Sequence, residues 1–260
     1  MKTMTFAAGL MLALGSSLVV MAQPAPATAP ATAPVVTVRA NSAIIPQLNA
    51  GFKAKHAANV ELAKKGDIDL LFMGDSITDF WRNRGRGGTP DAVPMAGKAV
   101  FDKYFGNMKT ANFGISGDTT QGVLYRLQDG EGTGFKPKAI MLMIGTNNTG
   151  GNTAPEIAVG VAAIVFEMRK DFPDAKILLL GIFPRNAPTS KARLMIAEIN
   201  KTISALNDNK HVFYMDIGAR FLDADGKIAT DIMADGLHPT SKGYGIWAEA
   251  VKDKLDELMK

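Results

Sequence analysis

Five short apolar runs limit how this chain can fold more than any other feature of its sequence. They occupy residues 68–73, 110–113, 139–144, 176–182 and 211–216, and each is bounded by Gly, Pro, Asn or Asp. Runs of this length, apolar and framed by turn formers, fit strands covered on both faces. The segments between them carry apolar residues at helical spacing instead. Ile157, Val161, Ile164, Val165, Met168 and Phe172 share one stripe; Met195, Ile199, Ile203 and Leu206 form a second. Tyr244, Trp247, Ala248, Val251, Leu255 and Leu258 form a third. Such stripes predict core-facing helices. Strands alternating with helices predict an α/β fold with a parallel sheet sandwiched between helical layers. In sheets of this kind ligands gather outside the carboxyl ends of the strands.

The N-terminal stretch has a different character. Lys2 precedes an apolar segment over residues 6–21, and Val20-Met21-Ala22 stands before Gln23. This is the pattern of a cleaved export signal over residues 1–22, placing the mature protein in the periplasm or outside the cell. The apolar stretch also approaches the length that spans a bilayer, but no cluster of positive charge follows it, so no stable membrane anchor is expected after cleavage. Residues 23–39 form a linker, with four prolines, five alanines and two threonines in residues 23–34. A segment of that composition stays extended and cannot bury enough apolar surface to fold. The folded domain is therefore expected over residues 40–260. Lys and Arg number 29 against 25 Asp and Glu, with no dense basic block, so nucleic acid is not the expected partner. The chain has no cysteine, which excludes disulfides, thiolate catalysis and zinc–cysteine sites.

Polar residues cluster where the strand runs end. Gly74-Asp75-Ser76-Ile77-Thr78-Asp79 follows the first run, Asn112-Phe113-Gly114-Ile115-Ser116-Gly117-Asp118 the second, and Gly145-Thr146-Asn147-Asn148 the third. Asp235-Gly236-Leu237-His238-Pro239 lies beyond the fifth run, ahead of the last helical stripe. These four blocks resemble those of the SGNH/GDSL hydrolase superfamily, in the same order and over residues from about 66 to the C-terminus. Within it, the segments 112–120, 144–148 and 181–185 (Gly-Ile-Phe-Pro-Arg) are similar to the catalytic subunits of platelet-activating-factor acetylhydrolases. One departure is Asn148, where many relatives carry Asp. The resemblance implies a three-layer α/β/α sandwich around five parallel strands, and a serine esterase.

The residue types support that chemistry directly. Ester hydrolysis needs a nucleophile, a base for its proton, and donors for the oxyanion. Ser76, just past a strand, is the candidate nucleophile; its alternative role is a helix N-cap. His238 is the candidate base, since His56 falls in an N-terminal helix and His211 at a strand start. Asp235, three residues earlier, can orient the His238 ring; its alternative is capping the last helix. The oxyanion hole would combine the N–H groups of Ser76 and Gly117 with the Asn147 side-chain amide, although Gly117 and Asn147 taken singly read as turn residues. Ser116 is the rival nucleophile. Asp75, Asn148 and Arg185 are supporting or substrate-contacting candidates.

The leading expectation is an exported esterase that removes short acyl groups, acetyl above all, from a carbohydrate or other polar substrate, small molecule or polysaccharide. The loop 84–90 beside Trp81 would give a polar rim with an aromatic face for a sugar, although Trp81 reads equally as a simply packed residue. A lipid-ester substrate is the second expectation. A metallophosphoesterase using Asp75, Asp79, Asn147 and His238, and a non-catalytic binding module, are alternatives of other classes. The serine mechanism calls for no metal and no cofactor, and a homodimer is left open.

Overall fold

The computed structural model describes residues 39–82 and 96–260. Residues Ala40–Lys260 make one compact unit. The expected signal over residues 1–22, nearly all of the linker, and the loop 84–90 lie outside the described residues.

Five strands form one parallel sheet in the order β2-β1-β3-β4-β5. They are β1 (Leu70–Gly74), β2 (Thr110–Asn112), β3 (Ala139–Met143), β4 (Lys176–Leu180) and β5 (Val212–Met215). The chain crosses from β1 out to β2 and then back over β1 to β3, so the strand order reverses at β1. This reversal opens a crevice at the carboxyl ends of β1 and β3, where a doubly wound sheet holds its ligands. β1 and β3 are buried at every position, which is why their sequences are apolar without alternation.

The pleat sends successive side chains to opposite layers. Leu71, Met73, Ile140, Leu142, Ile177 and Leu179 face one core, beneath α1 (Lys53–Lys65), α4 (Thr120–Arg126), α5 (Ala154–Asp171) and α6 (Lys191–Ile203). Leu70, Phe72, Met141, Met143, Leu178 and Leu180 face the other, beneath α2 (Ser76–Asp79), α3 (Lys98–Phe105) and α7 (Ser241–Leu258). The result is the expected α/β/α sandwich. All three helical stripes face these cores, with Ile157, Val161 and Ile164 on α5 and Trp247, Val251 and Leu255 on α7 fully buried.

The strand ends differ from the sequence expectation for side-chain reasons. β4 stops at Leu180 because Asn200, on α6, takes both backbone groups of Ile182: Ile182 N–H donates to Asn200 Oδ1 at 2.8 Å, and Asn200 Nδ2 donates to Ile182 O at 2.9 Å. β5 starts at Val212 because Asp208 Oδ1 accepts the N–H groups of Lys210, His211 and Val212 and closes the preceding turn. Among the described residues no helix is long and apolar enough to cross a membrane.

Of the two readings of Trp81, sugar platform and packed residue, the second holds. It is fully buried, 4.4 Å from the Tyr244 ring, 4.9 Å from Trp247 and 5.8 Å from Phe105, centroid to centroid. Its ring cements α2, α3 and α7 rather than lining a rim. Trp81→Ala should therefore cost about 3–5 kcal/mol of unfolding free energy, as large-to-small core changes do. Urea denaturation measures this, and a loss below about 1 kcal/mol would show that the ring is not core.

Candidate active site

Ser76 owes its position to the turn that leaves β1. A Cβ on Gly74 would lie 2.3 Å from Thr78 Oγ1 and 2.4 Å from Met143 O, so only glycine lets the chain fold back this sharply into α2. The N-cap of α2 is Asp75, whose carboxylate accepts the Ile77 N–H at 2.9 Å. Ser76 is thereby released from the capping role and sits at the first helical position. Its hydroxyl lies 2.8 Å from His238 Nε2.

His238 is held from three sides. Its Nδ1 lies 2.6 Å from Asp235 Oδ2, and its own N–H donates to Asp235 Oδ1 at 2.7 Å. The Phe80 ring packs 5.0 Å from the imidazole. Asp235 does not cap the last helix; Thr240 does, accepting the Gly243 N–H. Burial opposes ionisation of Asp235, but hydrogen bonds from the His238 side chain and from the N–H groups of His238 and Leu237 outweigh it and hold its carboxyl below the usual range. An ionised carboxylate, an imidazole and a hydroxyl thus stand in one hydrogen-bonded row.

The second and third blocks close on the first. Asn112 Nδ2 donates to Thr78 O at 2.8 Å and Asn112 Oδ1 accepts the Gly114 N–H at 2.8 Å, stapling the segment after β2 against α2. Ile115 N–H donates to Gly74 O at 3.1 Å. Gly117 then turns at φ +85°, a left-handed conformation that favours glycine. Among the described residues neither its N–H nor that of Ser76 has an acceptor. Asn147, on the turn after β3, donates through Nδ2 to Asp118 O at 2.7 Å, which brings its amide beside Gly117 and leaves the second amide hydrogen free. Ser76, Asp235, His238, Gly117 and Asn147 are therefore gathered at one rim of the sheet.

The weaker candidates divide. Asn148 is buried and faces inward: its Oδ1 accepts the Thr120 N–H at 3.0 Å and its Nδ2 reaches Gln121 Oε1 at 2.9 Å and Asn152 Oδ1 at 3.2 Å. It ties the third block to α4 and presents nothing to the rim. An amide can both accept and donate in that network, which suits Asn where relatives carry Asp. Asp75 is buried beside Ser76, and desolvation raises its carboxyl to about 7 despite the Ile77 bond. Arg185 is half-buried and donates to Thr146 Oγ1 at 3.3 Å.

Ser116 does not rival Ser76. Its hydroxyl donates to Asp79 Oδ2 at 2.8 Å, and Asp79 also receives Lys55 and Arg82. Asp79 is thus fully engaged, so Asp75, Asp79 and His238 do not converge as metal ligands. Among the described residues no group of three or more His, Asp or Glu side chains could hold a metal ion.

Sequence reasoning missed the cluster behind Gly117. Arg126 is completely buried and donates to Asp118 Oδ2 at 2.9 Å, Phe113 O at 3.0 Å and Glu131 Oε2. Glu131 in turn accepts Asn59 Nδ2 at 3.2 Å and lies 2.9 Å from His56 Nδ1, which brings in α1. That hydrogen bond, helped by Asp129 and opposed by burial, raises the His56 imidazole above its ordinary value. The available signal was a cation set among Val123, Leu124 and Leu127 on an otherwise apolar helix face.

A model of the GDSL-like Lipase/Acylhydrolase family matches residues 72–246. The platelet-activating factor acetylhydrolase IB subunit alpha2 of Rattus norvegicus is 33% identical over 208 residues, covering 80% of this chain and 84% of that protein. The alpha1 subunit of Bos taurus is 30% identical over 205 residues, covering 78% and 82%. A solved GDSL-like lipase from Bacteroides thetaiotaomicron superposes with a TM-score of 0.61 at 19% identity, covering 80% of this chain and 98% of that one. A catalytic mutant of an acetylxylan esterase from Geobacillus stearothermophilus gives 0.53 at 21% identity, covering 73% and 93%. At these identities the two structures attest the fold alone.

Two substitutions test the site's electrostatics. Arg126→Met leaves Asp118 and Glu131 buried without their cation and should cost about 3–5 kcal/mol in denaturant unfolding, against under 1 kcal/mol if the cluster is dispensable. Asp75 has a folded-state value raised to about 7 from 3.8, so its contribution to stability is complete in acid and lost as pH rises toward 7. Asp75→Asn, which keeps an acceptor for Ile77, should therefore raise Tm relative to wild type more at about pH 8 than at about pH 4. An equal difference at the two pH values would contradict the burial of a charge there.

Proposed function

The chain belongs to the GDSL-like lipase/acylhydrolase family and is a carboxylic ester hydrolase, and from that premise we propose that it is an exported serine esterase that removes acetyl groups from carbohydrates. The observation that carries the mechanism is the contact between Ser76 Oγ and His238 Nε2, at 2.8 Å across 162 residues of chain. Neutral His238 takes the Ser76 proton as the oxygen attacks the ester carbonyl. Asp235, ionised and bonded to Nδ1, fixes the tautomer and stabilises the imidazolium that results. The oxyanion is received by the free N–H groups of Ser76 and Gly117 and the free amide hydrogen of Asn147. His238 then returns the proton to the departing alcohol, and water repeats the sequence to free acetate and Ser76.

Two observations support the substrate class. The relative at 33% identity is named an acetylhydrolase, which favours acetyl as the acyl group. Beside Gly117 lies a cavity of about 500 Å³ whose wall carries Gln47, Asn49, Thr119 and Gln121. These amides and the hydroxyl offer hydrogen bonds to a polyhydroxylated alcohol, beside the apolar Leu48, Ala50 and Phe52 of the same wall. The N-terminal segment over residues 1–22 supports export, where acetylated polysaccharides are encountered.

Ser76→Ala should abolish hydrolysis of p-nitrophenyl acetate while leaving circular dichroism unchanged. His238→Ala should lower kcat on the same ester by about 10²-fold or more, the usual worth of a general base. Turnover retained in Ser76→Ala would remove the serine mechanism. Faster cleavage of long-chain acyl esters than of acetylated xylan or sugar acetates would move the substrate to lipid.

A further inference from the structure

A second cleft, lined in part by Asn147, is charged. It encloses about 360 Å³ and is lined by Thr146, Asn147, Thr149, Arg185 and Lys191 among others, with no acidic side chain in its wall. Three links place Arg185 at the rim described above. Its Nη1 donates to Thr146 Oγ1, next to Asn147. Its neighbour Asn186, at φ +58°, donates its N–H to Gly236 O at 2.8 Å, joining this turn to the loop that carries Asp235 and His238. Its charge is felt by Asp75, the residue before Ser76.

The cations here are not neutralised. Among the described residues neither Arg185, Lys191 nor Arg193 is in an ion pair. Arg193 spends its guanidinium on the carbonyls of Arg185, Asn186 and Gly226, at 3.0, 2.6 and 3.1 Å. Those bonds fix the Arg185 turn but add a third positive charge behind it. Arg185 Nε is buried with no partner among the described residues. A buried donor on a charged group is costly to leave unmade, and a bound anion satisfies it. Around the first and second blocks, by contrast, Lys55, Arg82 and Arg126 each hold a carboxylate. Arg185 and Lys191 thus bring two unpaired positive charges to the wall of one cleft.

We propose that the Arg185–Lys191 cleft binds an oxyanion, a carboxylate or a phosphate, carried by the alcohol portion of the ester. This rests on the reading of Ser76 as nucleophile and of acetyl as the acyl group: acetyl has no room for a charge, so the anion belongs to the alcohol. The natural substrate is then an acidic acetyl ester, and the cleft selects it over neutral ones.

Three probes decide it: an O-acetylated methyl galacturonoside, the same glycoside with its carboxyl methyl-esterified, and acetylated glycerol phosphate. Wild-type kcat/KM should favour at least one anionic probe over the neutral one by about tenfold, the size that two part-exposed charge contacts supply. The advantage should shrink as salt is added, because these charges are partly exposed. Which anionic probe leads identifies the source as an acidic sugar or a phosphorylated alcohol. In Arg185→Gln/Lys191→Gln the ratio should fall to about one, whereas Lys201→Gln, a charge change on the exposed face of α6, should keep it. Lys191→Gln alone, at an exposed side chain, should lower the ratio part of the way and guards against misfolding of the double variant. Equal rates on all three probes, or a preference that survives in the double variant, would overturn the anion site and leave the esterase reading intact. No turnover of any probe would overturn both.

Discussion

A guanidinium without solvent contact sits at the junction that the rest of the site leans on. Arg126 is buried between Asp118 and Glu131, and also donates to Phe113 O at the end of β2. A charge removed from water must be matched by opposite charge and hydrogen bonds, or the fold excludes it. Matching it here draws together pieces that no local preference would join: the loop after β2, the turn after α4, and α1 through His56 and Asn59. Asp118 follows Gly117 directly, and its carbonyl holds Asn147. Two of the three oxyanion donors are therefore anchored, through backbone and side chain, to one buried cation.

The sheet supplies the other half of the frame. Because the strand order reverses at β1, the turns after β1, β2 and β3 crowd together at one end, each leaving its strand in a tight turn. α7 returns across the opposite layer, where Trp247 and Tyr244 pack against Trp81. Tyr244 Oη donates to Ile77 O at 2.7 Å, so the helix that follows the His238 loop is fastened to the helix that begins at Ser76. The nucleophile–base contact and the Ser76 N–H are thus set by core packing on one face, and the other two oxyanion donors by the buried charge cluster on the other. Rigid elements position both, as preorganised stabilisation requires.

Much of this was legible in the sequence. The five strands followed from short apolar runs framed by turn formers, since burial on two faces leaves no alternation, and the three helical stripes from their spacing. The four polar blocks could be assigned because their residue types and order carry a mechanism, even though Ser76 and His238 are 162 residues apart. What escaped were pairings with no local pattern. His56 meets Glu131 across 75 residues, and Asn200 ends β4 by reaching Ile182 across 18. Neither contact follows from spacing or propensity. Trp81 illustrates the converse: an aromatic beside a Gly-rich loop fits a sugar platform and a packed core equally, and only tertiary context reveals that its neighbours are Tyr244 and Trp247. The alternative of Ser76 as a helix N-cap falls away because Asp75 takes that role; both types cap well and only the geometry of the turn decides.

Hydrolysis by this site requires Ser76 to be the group that forms the acyl bond. Reaction with a small organophosphonate, followed by peptide mass analysis, tests this without reference to any natural substrate. One adduct per chain on the peptide containing Ser76, formed much more slowly in His238→Ala, is the predicted result. Labelling at Ser116, or no adduct in protein that still hydrolyses p-nitrophenyl acetate, would contradict it.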